Sequence, residues 1–182
     1  SFEVWVAKYS AQGTRIWLST LSIPNVAELE KYAKAIGVDS SGNVFVAGYT
    51  KIISAVVDYD AFVAKFDSGG TQSNNVAIFG SGRGIEDGSG GMEISFNSSG
   101  NPVLNAALNI RRQYVSDPIS GEFEYAFFDI VQSILNPNLT SRTTVTLRSD
   151  LQGDPKDLTV GSDGSIYVVG RDFNFTTLEY FG

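Results

Sequence analysis

The sequence predicts an all-β chain, a β-propeller-like array of about three four-stranded antiparallel blades, incomplete at both termini. Three observations carry that expectation. A glycine-centred hairpin, VDSSGNVFVAGYT at Val38–Thr50, recurs as FNSSGNPVLNAAL at Phe96–Leu108 and as VGSDGSIYVVGRD at Val160–Asp172, with Gly42, Gly100 and Gly164 at intervals of 58 and 64 residues. A second segment, FEVWVAKYSAQGT at Phe2–Thr14, recurs as DAFVAKFDSGGT at Asp60–Thr71, placing Lys8 and Lys65 57 residues apart. The two motifs alternate along the chain, and helix signals are scarce. Propeller blades usually run about 40–50 residues, so these would be long, with the surplus in loops.

With strands lettered A to D within a blade, Phe2–Ile23 reads as a C-D pair, in a half blade spanning residues 1–32. A short surface helix is expected over Asn25–Ala35, which follows Pro24 and has Asn25 as an N-cap. A blade spanning 33–80 comes next. AKAIGVD leads into the turn Ser40-Ser41-Gly42-Asn43, where Gly42 supplies a positive φ that other residues resist. In the return strand Val44, Val46 and Gly48 alternate with Phe45, Ala47 and Tyr49. Both sets are apolar, so this strand and its third copy, Ile166–Arg171, are expected to be covered on both faces. AFVAKFD then leads to a turn at Gly70, and a polar strand follows. Long loops are expected at Lys51–Tyr59 and Asn109–Glu124. A blade at 91–147 turns at Gly100 and carries a degraded second motif, YAFFDIVQSILNPNLT, at Tyr125–Thr140. A partial blade at 156–182 turns at Gly164 and closes on FTTLEYFG, a C strand without its turn.

Composition narrows the function classes. The chain of 182 residues is 42% hydrophobic and 18% charged, enough to bury a core. A net charge of −7, with no basic cluster beyond Arg111-Arg112, argues against nucleic acid as a partner. Neither Cys nor His occurs, which removes thiol nucleophiles, disulfides, the common zinc ligands and the usual general base. No apolar run approaches the roughly 18 residues of a membrane-spanning helix. The opening SFEVWVAKYS has no charged region leading into an apolar stretch, so no signal peptide is expected there.

Each motif that could carry chemistry has a plainer reading. Asp39 and Asp163 could ligate calcium, but DSSGN has too few carboxylates and its second copy has Asn97 where the first has Asp39; turn capping is the better account. GSGRGIEDGSGG, residues 80–91, lacks the flanking strand and helix of a phosphate loop and reads as an inter-strand loop. Glu86-Asp87 and Asp154/Asp157 are solvated loop charges unless a fold brings carboxyls across a cleft. Lys8 and Lys65 are expected mid-strand with their heads at the surface. The aromatics, Trp5, Trp17, Phe45, Tyr49, Phe62 and Phe66 among them, fall in strands and read as packing. No catalytic, cofactor-binding or metal-ligating residue is assigned. Three sequons, at Asn97, Asn138 and Asn174, could carry glycans, and Asn138 is the best candidate for exposure.

DAFVAKFDSGGT together with AIGVDSSGNVFVAGYT resembles the bacterial β-propeller repeat called SBBP, whose cores read D-A-F-V-x-K-[FY]-x-x-x-G and G-[IV]-x-V-D-x-x-G-N-[VI]-Y-V-x-G-x-T. The match is close in Lys34–Thr71 and partial at Val4–Thr14 and Gly161–Arg171. It departs in the middle copy, where Pro102 and Asn105 replace strand formers and Asp129-Ile130 stands in place of x-Lys. The resemblance implies a cell-surface or secreted setting. It implies no catalytic residues, because the motif is structural.

Neither end of the sequence finishes its own blade. Three blades fall below the usual four to eight of a closed ring, and open sheet edges are seldom left bare. The expectation is a non-enzymatic extracellular structural protein that joins incomplete blades head to tail, with Val4, Val6 and Tyr9 at one end and Leu178 and Tyr180 at the other as assembly strands. The product would be a homo-oligomer or a filament. The alternatives are a secreted or surface propeller module whose loops bind glycan or protein, and a fragment of a larger propeller enzyme.

Overall fold

The structure, a computed structural model of the chain, describes residues 3–23, 28–53, 57–79, 91–117, 121–152 and 154–171. Among these residues there is no helix, and the strands form antiparallel sheets. Sheet I pairs β1 (Trp5–Tyr9) with β2 (Arg15–Thr20). Sheet II runs in chain order through β3 (Glu28–Val38), β4 (Val44–Ile53), β5 (Val57–Phe66) and β6 (Gln72–Phe79). Sheet III repeats that order in β7 (Met92–Phe96), β8 (Pro102–Asp117), β9 (Gly121–Leu135) and β10 (Arg142–Gln152). Sheet IV pairs β11 (Asp154–Val160) with β12 (Ile166–Arg171).

The sheets stack face to face in chain order, because central strands with two apolar faces must be covered on both. In β4, Val44 and Val46 turn toward sheet I and join Val4, Val6, Leu21 and Ile23, with Phe62, Ala64 and Phe66 of β5 beside them. The alternate residues Phe45 and Ala47 turn the other way, with Ala61, Val63 and Ala77, onto Ile94, Leu104, Val131, Leu135 and Leu139 of sheet III. A third, smaller cluster joins Ala107 and Ile130 of sheet III to Leu158 of sheet IV. Phe45, Phe62 and Phe66 are fully buried, each stabilising the stack by roughly 1.5–3 kcal/mol.

The first strands come closest. β3 lies against β7 and β7 against β11, and glycine permits the approach. A Cβ on Gly37 would meet the Ile94 side chain at 2.9 Å, and one on Gly91 would overlap the backbone of Asp157 and Leu158. Glu93 Oε2 accepts a hydrogen bond from Val160 N at 2.6 Å across the same seam. Outer strands meet through side chains instead, a stacking consistent with propeller blades.

Two expectations fail here. Glu28–Val38 is strand β3, not part of a helix over Asn25–Ala35; residues 24–27 of that span lie outside the described residues. Helix propensity in ELEKYAKA amounts to tenths of a kcal/mol per residue and loses to an open ladder on β4, which pairs from Glu28↔Ile52 to Val38↔Val44. The expected long loops are also strand. Pairing of β4 with β5 continues to Ile53↔Val57, and of β8 with β9 to Asp117↔Gly121. The surplus length of the repeats therefore lies in extended hairpins, where each added pair satisfies further backbone groups; only residues 54–56 and 118–120 of those spans fall outside the described set. A further expectation holds for β4 but not for β12, whose Tyr167, Val168 and Val169 are exposed.

Candidate functional site

Among the described residues six tight turns close the A-B and C-D hairpins, and antiparallel order puts all six on one rim. Five share one geometry: the first residue's N–H and C=O bond residues five and four of the turn, as in Asp39 N to Asn43 O and Gly42 N to Asp39 O. The fourth residue then needs φ > 0, which Gly13, Gly42, Gly70, Gly100 and Gly164 supply at 76–90°. The sixth turn has Leu139 there, at φ 60°. Its left-handed backbone costs about 1–2 kcal/mol, which burial of the leucine between sheets II and III offsets.

The first residue's side chain caps the turn. Asp39 Oδ1 accepts from Ser41 N (2.9 Å) and Asn43 N (2.8 Å), and Asp67 Oδ1 accepts from Gly69 N and Thr71 N. Ser10, Asn97 and Asn136 hold the equivalent turns with a hydroxyl or amide oxygen. At the last turn the first residue is Gly161, and Asp163 caps Ser165 instead. Burial pushes the Asp39 carboxyl up, but the Asn43 side chain, the Asn43 and Ser41 N–H groups and Lys65 outweigh it and hold it below the usual range. The Thr71 N–H does most to lower Asp67, and the Ser165 N–H does so for Asp163. A depressed folded pKa means stability that is full above the unfolded value and lost as pH falls through the folded one. We therefore expect the triple variant Asp39→Asn, Asp67→Asn, Asp163→Asn to melt below wild type at pH 7. The gap should close on acidification below about pH 4. A gap of equal size at both pH values, measured by circular dichroism, would contradict the assignment.

The same turns tie each sheet to the next. Trp17 of β2 rests on Gly70, where a Cβ would meet the indole at 2.7 Å, and its Nε1 donates to Ser68 O at 3.1 Å. Ser19 Oγ donates to Gly70 O, and Gln72 bonds both backbone groups of Ser22. One sheet further on the device recurs. Lys65 Nζ donates to Pro137 O at 2.9 Å, and Asn75 Nδ2 donates to Asn138 O at 3.2 Å. Arg142 lies 4.2 Å over the Phe79 ring and donates to Ile78 O. The outer strands of sheets I and II thus grip the C-D turn of the sheet that follows. Lys65 is part of this clasp and also sits over the Phe45 ring, so its head is not a free surface charge; Lys8 is exposed.

Register makes the C-D pairs directly comparable. Val6 opposite Ser19, Val63 opposite Ala77 and Gln132 opposite Val145 occupy equivalent places. WVAKY of β1 then overlies FVAKF of β5. Phe62 and Phe66 are 0% exposed under sheet I, whereas their equivalents Trp5 and Tyr9 are 64% and 55% exposed. Ile16 and Leu18 are bare on the same face of sheet I. At the other end of the stack, Ile134, Val145 and Leu147 of sheet III and Tyr167 and Val169 of sheet IV are exposed. Val4 and Val6 are buried, facing sheet II. Leu178, Tyr180 and Asn174 lie outside the described residues.

On the opposite rim a cleft of about 330 Å³ lies between the start of β1 and β3–β4, lined by Glu3, Trp5, Lys31, Tyr32, Lys34 and Tyr49 among others. Lys31, almost fully buried, pairs with Glu3 at 3.6 Å. Tyr32 and Tyr49 stack at 4.8 Å, Lys34 sits over Tyr49, and Tyr32 OH donates to Glu30 Oε2. Among the described residues no three His, Cys, Asp or Glu side chains gather as metal ligands would. Asp157 Oδ1 accepts from Leu158 N, while Glu86, Asp87 and the side chain of Asp154 lie outside the described set. Of the sequons, Asn138 is exposed at its turn tip, and Asn97 is half-buried with its carbonyl engaged in the cap. No helix among the described residues is long and apolar enough to cross a membrane.

Among curated proteins, none matches the chain significantly. Residues 30–53, within the β3–β4 hairpin built around the Asp39 turn, match the family model of the SBBP beta-propeller repeat.

Proposed function

We propose that this chain is a non-enzymatic structural protein of propeller-type blades that assembles head to tail, one copy completing the blade of the next, in the extracellular or cell-surface setting that the resemblance implies. The observation that carries the reading is the complementarity of the two end sheets. Among the described residues sheet I is a C-D pair whose β1 has no neighbour beyond β2, and sheet IV is an A-B pair whose β12 has no neighbour beyond β11. Side by side they make the four-stranded order already present in sheets II and III. Bare aromatic and aliphatic faces at both ends supply apolar burial, and strand addition supplies main-chain hydrogen bonds. The described turn carboxylates, Asp39, Asp67 and Asp163, are engaged in capping rather than gathered in a cleft.

Because the contact is heterologous, it generates a ring if the rotation closes and a filament if it does not. Negative-stain electron microscopy of the purified chain separates these outcomes. Rings or strings of repeating units are expected, and a field of isolated single-chain particles overturns the proposal.

A second reading, glycan binding, is favoured by the Tyr32–Tyr49–Lys34 cluster at one blade end. It is the weaker reading, since those rings stack on each other and under Lys34. A polysaccharide array tests it, with retention lost in Tyr49→Ala as the supporting result.

A further inference from the structure

We infer that the assembly contact is a specific strand pair, β12 of one copy with β1 of another, in the register of the β4–β5 pair, closed by docking of the second copy's sheet I on the outer half of sheet III. The inference rests on the head-to-tail reading and names its atoms. In sheet II the B and C strands pair Val44↔Phe66, Val46↔Ala64 and Gly48↔Phe62. Aligning Gly42 with Gly164, and FVAKF with WVAKY, transfers this register to Ile166↔Tyr9, Val168↔Ala7 and Gly170↔Trp5 between copies.

Sheet I can take that place because an equivalent C-D pair already sits against each outer sheet half within the chain. β5 and β6 lie on sheet I, and β9 and β10 lie on sheet II, with the facing residues Phe62, Phe66, Val131 and Leu135 buried. The outer half of sheet III, at Ile134, Val145 and Leu147, has no such cover among the described residues. Trp5 and Tyr9 hold the places of Phe62 and Phe66, so docking the second copy there buries both bare faces together. The second copy's Ser10–Thr14 turn then meets β9 and β10 as the Asp67–Thr71 turn meets Trp17 and Ser19. Gly13 in that turn has open space around its Cβ position, whereas Gly70 is covered by Trp17. The occupant is therefore a second copy of this chain, joined through a continuation of an interface the chain makes twice internally.

The chain has no cysteine, so an introduced pair reports without background. Ala7→Cys and Val168→Cys variants are co-expressed, purified and oxidised, and linked peptides are mapped by mass spectrometry. The expected main product is a mixed disulfide between residues 7 and 168 of different copies. Ile166→Cys in place of Val168→Cys, two residues out of register, should give at least tenfold less. If oligomers form but the Ala7–Val168 link does not exceed the Ala7–Ile166 link, another element, such as residues 175–182, holds that edge; the inference falls while head-to-tail assembly stands. If both variants and wild type are monomeric, the assembly reading itself falls.

Discussion

Phe62→Ala is expected to destabilise the folded chain by about 3–5 kcal/mol, whereas Trp5→Ala, at the equivalent place one sheet earlier, should cost less than about 1 kcal/mol. The two aromatics share a motif and a strand position. What differs is cover: Phe62 lies under sheet I at 0% exposure, and Trp5 is 64% exposed. Truncating Phe62 leaves a cavity between two sheets that cannot collapse without moving β1 or β4. Urea unfolding at a dilution where the chain is a monomer measures both costs. The assembly account adds a second readout: Trp5→Ala, and more strongly Trp5→Asp with Tyr9→Asp, should weaken self-association at least tenfold while the unfolding midpoint of the monomer barely moves. Equal folding costs at the two positions would mean that the face of β1 is covered within the chain.

Gly48→Ala should have the next largest effect on folding, a loss of about 3 kcal/mol or more. Gly48 has no φ that demands glycine; the demand is spatial. A Cβ there would fall on the Tyr32 carbonyl of the neighbouring strand, at the irregularity in register between Ala33 and Ala35. Relief requires β3 to lift off β4, which breaks the Ala33–Gly48 pairing and disturbs the seating of buried Lys31 and Thr50. The obstacle is backbone, so no rotamer change absorbs it. A midpoint within about 0.5 kcal/mol of wild type, the scatter of ordinary surface substitutions, would show that β3 is not held as described.

Local chemistry made the hairpins legible. A capping Asp or Asn followed three residues later by glycine is a turn signal that needs no distant partner, and it recurs at Gly42, Gly70 and Gly100. Period-two alternation of two apolar sets in Val44–Tyr49 announced a strand buried on both faces. What failed was non-local. ELEKYAKA has helix-forming residues, and only the open edge of β4 makes it a strand. Lys51–Tyr59 and Asn109–Glu124 read as loops because their length departs from the repeat, although length alone does not distinguish a loop from a longer hairpin. The clasp went unseen for the same reason: Trp17 with Ser68, and Asn75 with Asn138, become equivalent only once register is known. One signal was available, the overlay of WVAKY on FVAKF, which marks Trp5 and Tyr9 as residues suited to burial.

If the two exposed ends of the stack bind each other, light scattering coupled to size exclusion will register it across a concentration series. Masses are expected to rise with concentration through multiples of 19.6 kDa, with association already evident near micromolar chain, where the contact is worth about 8 kcal/mol. A mass fixed at that of one chain throughout the series would contradict it.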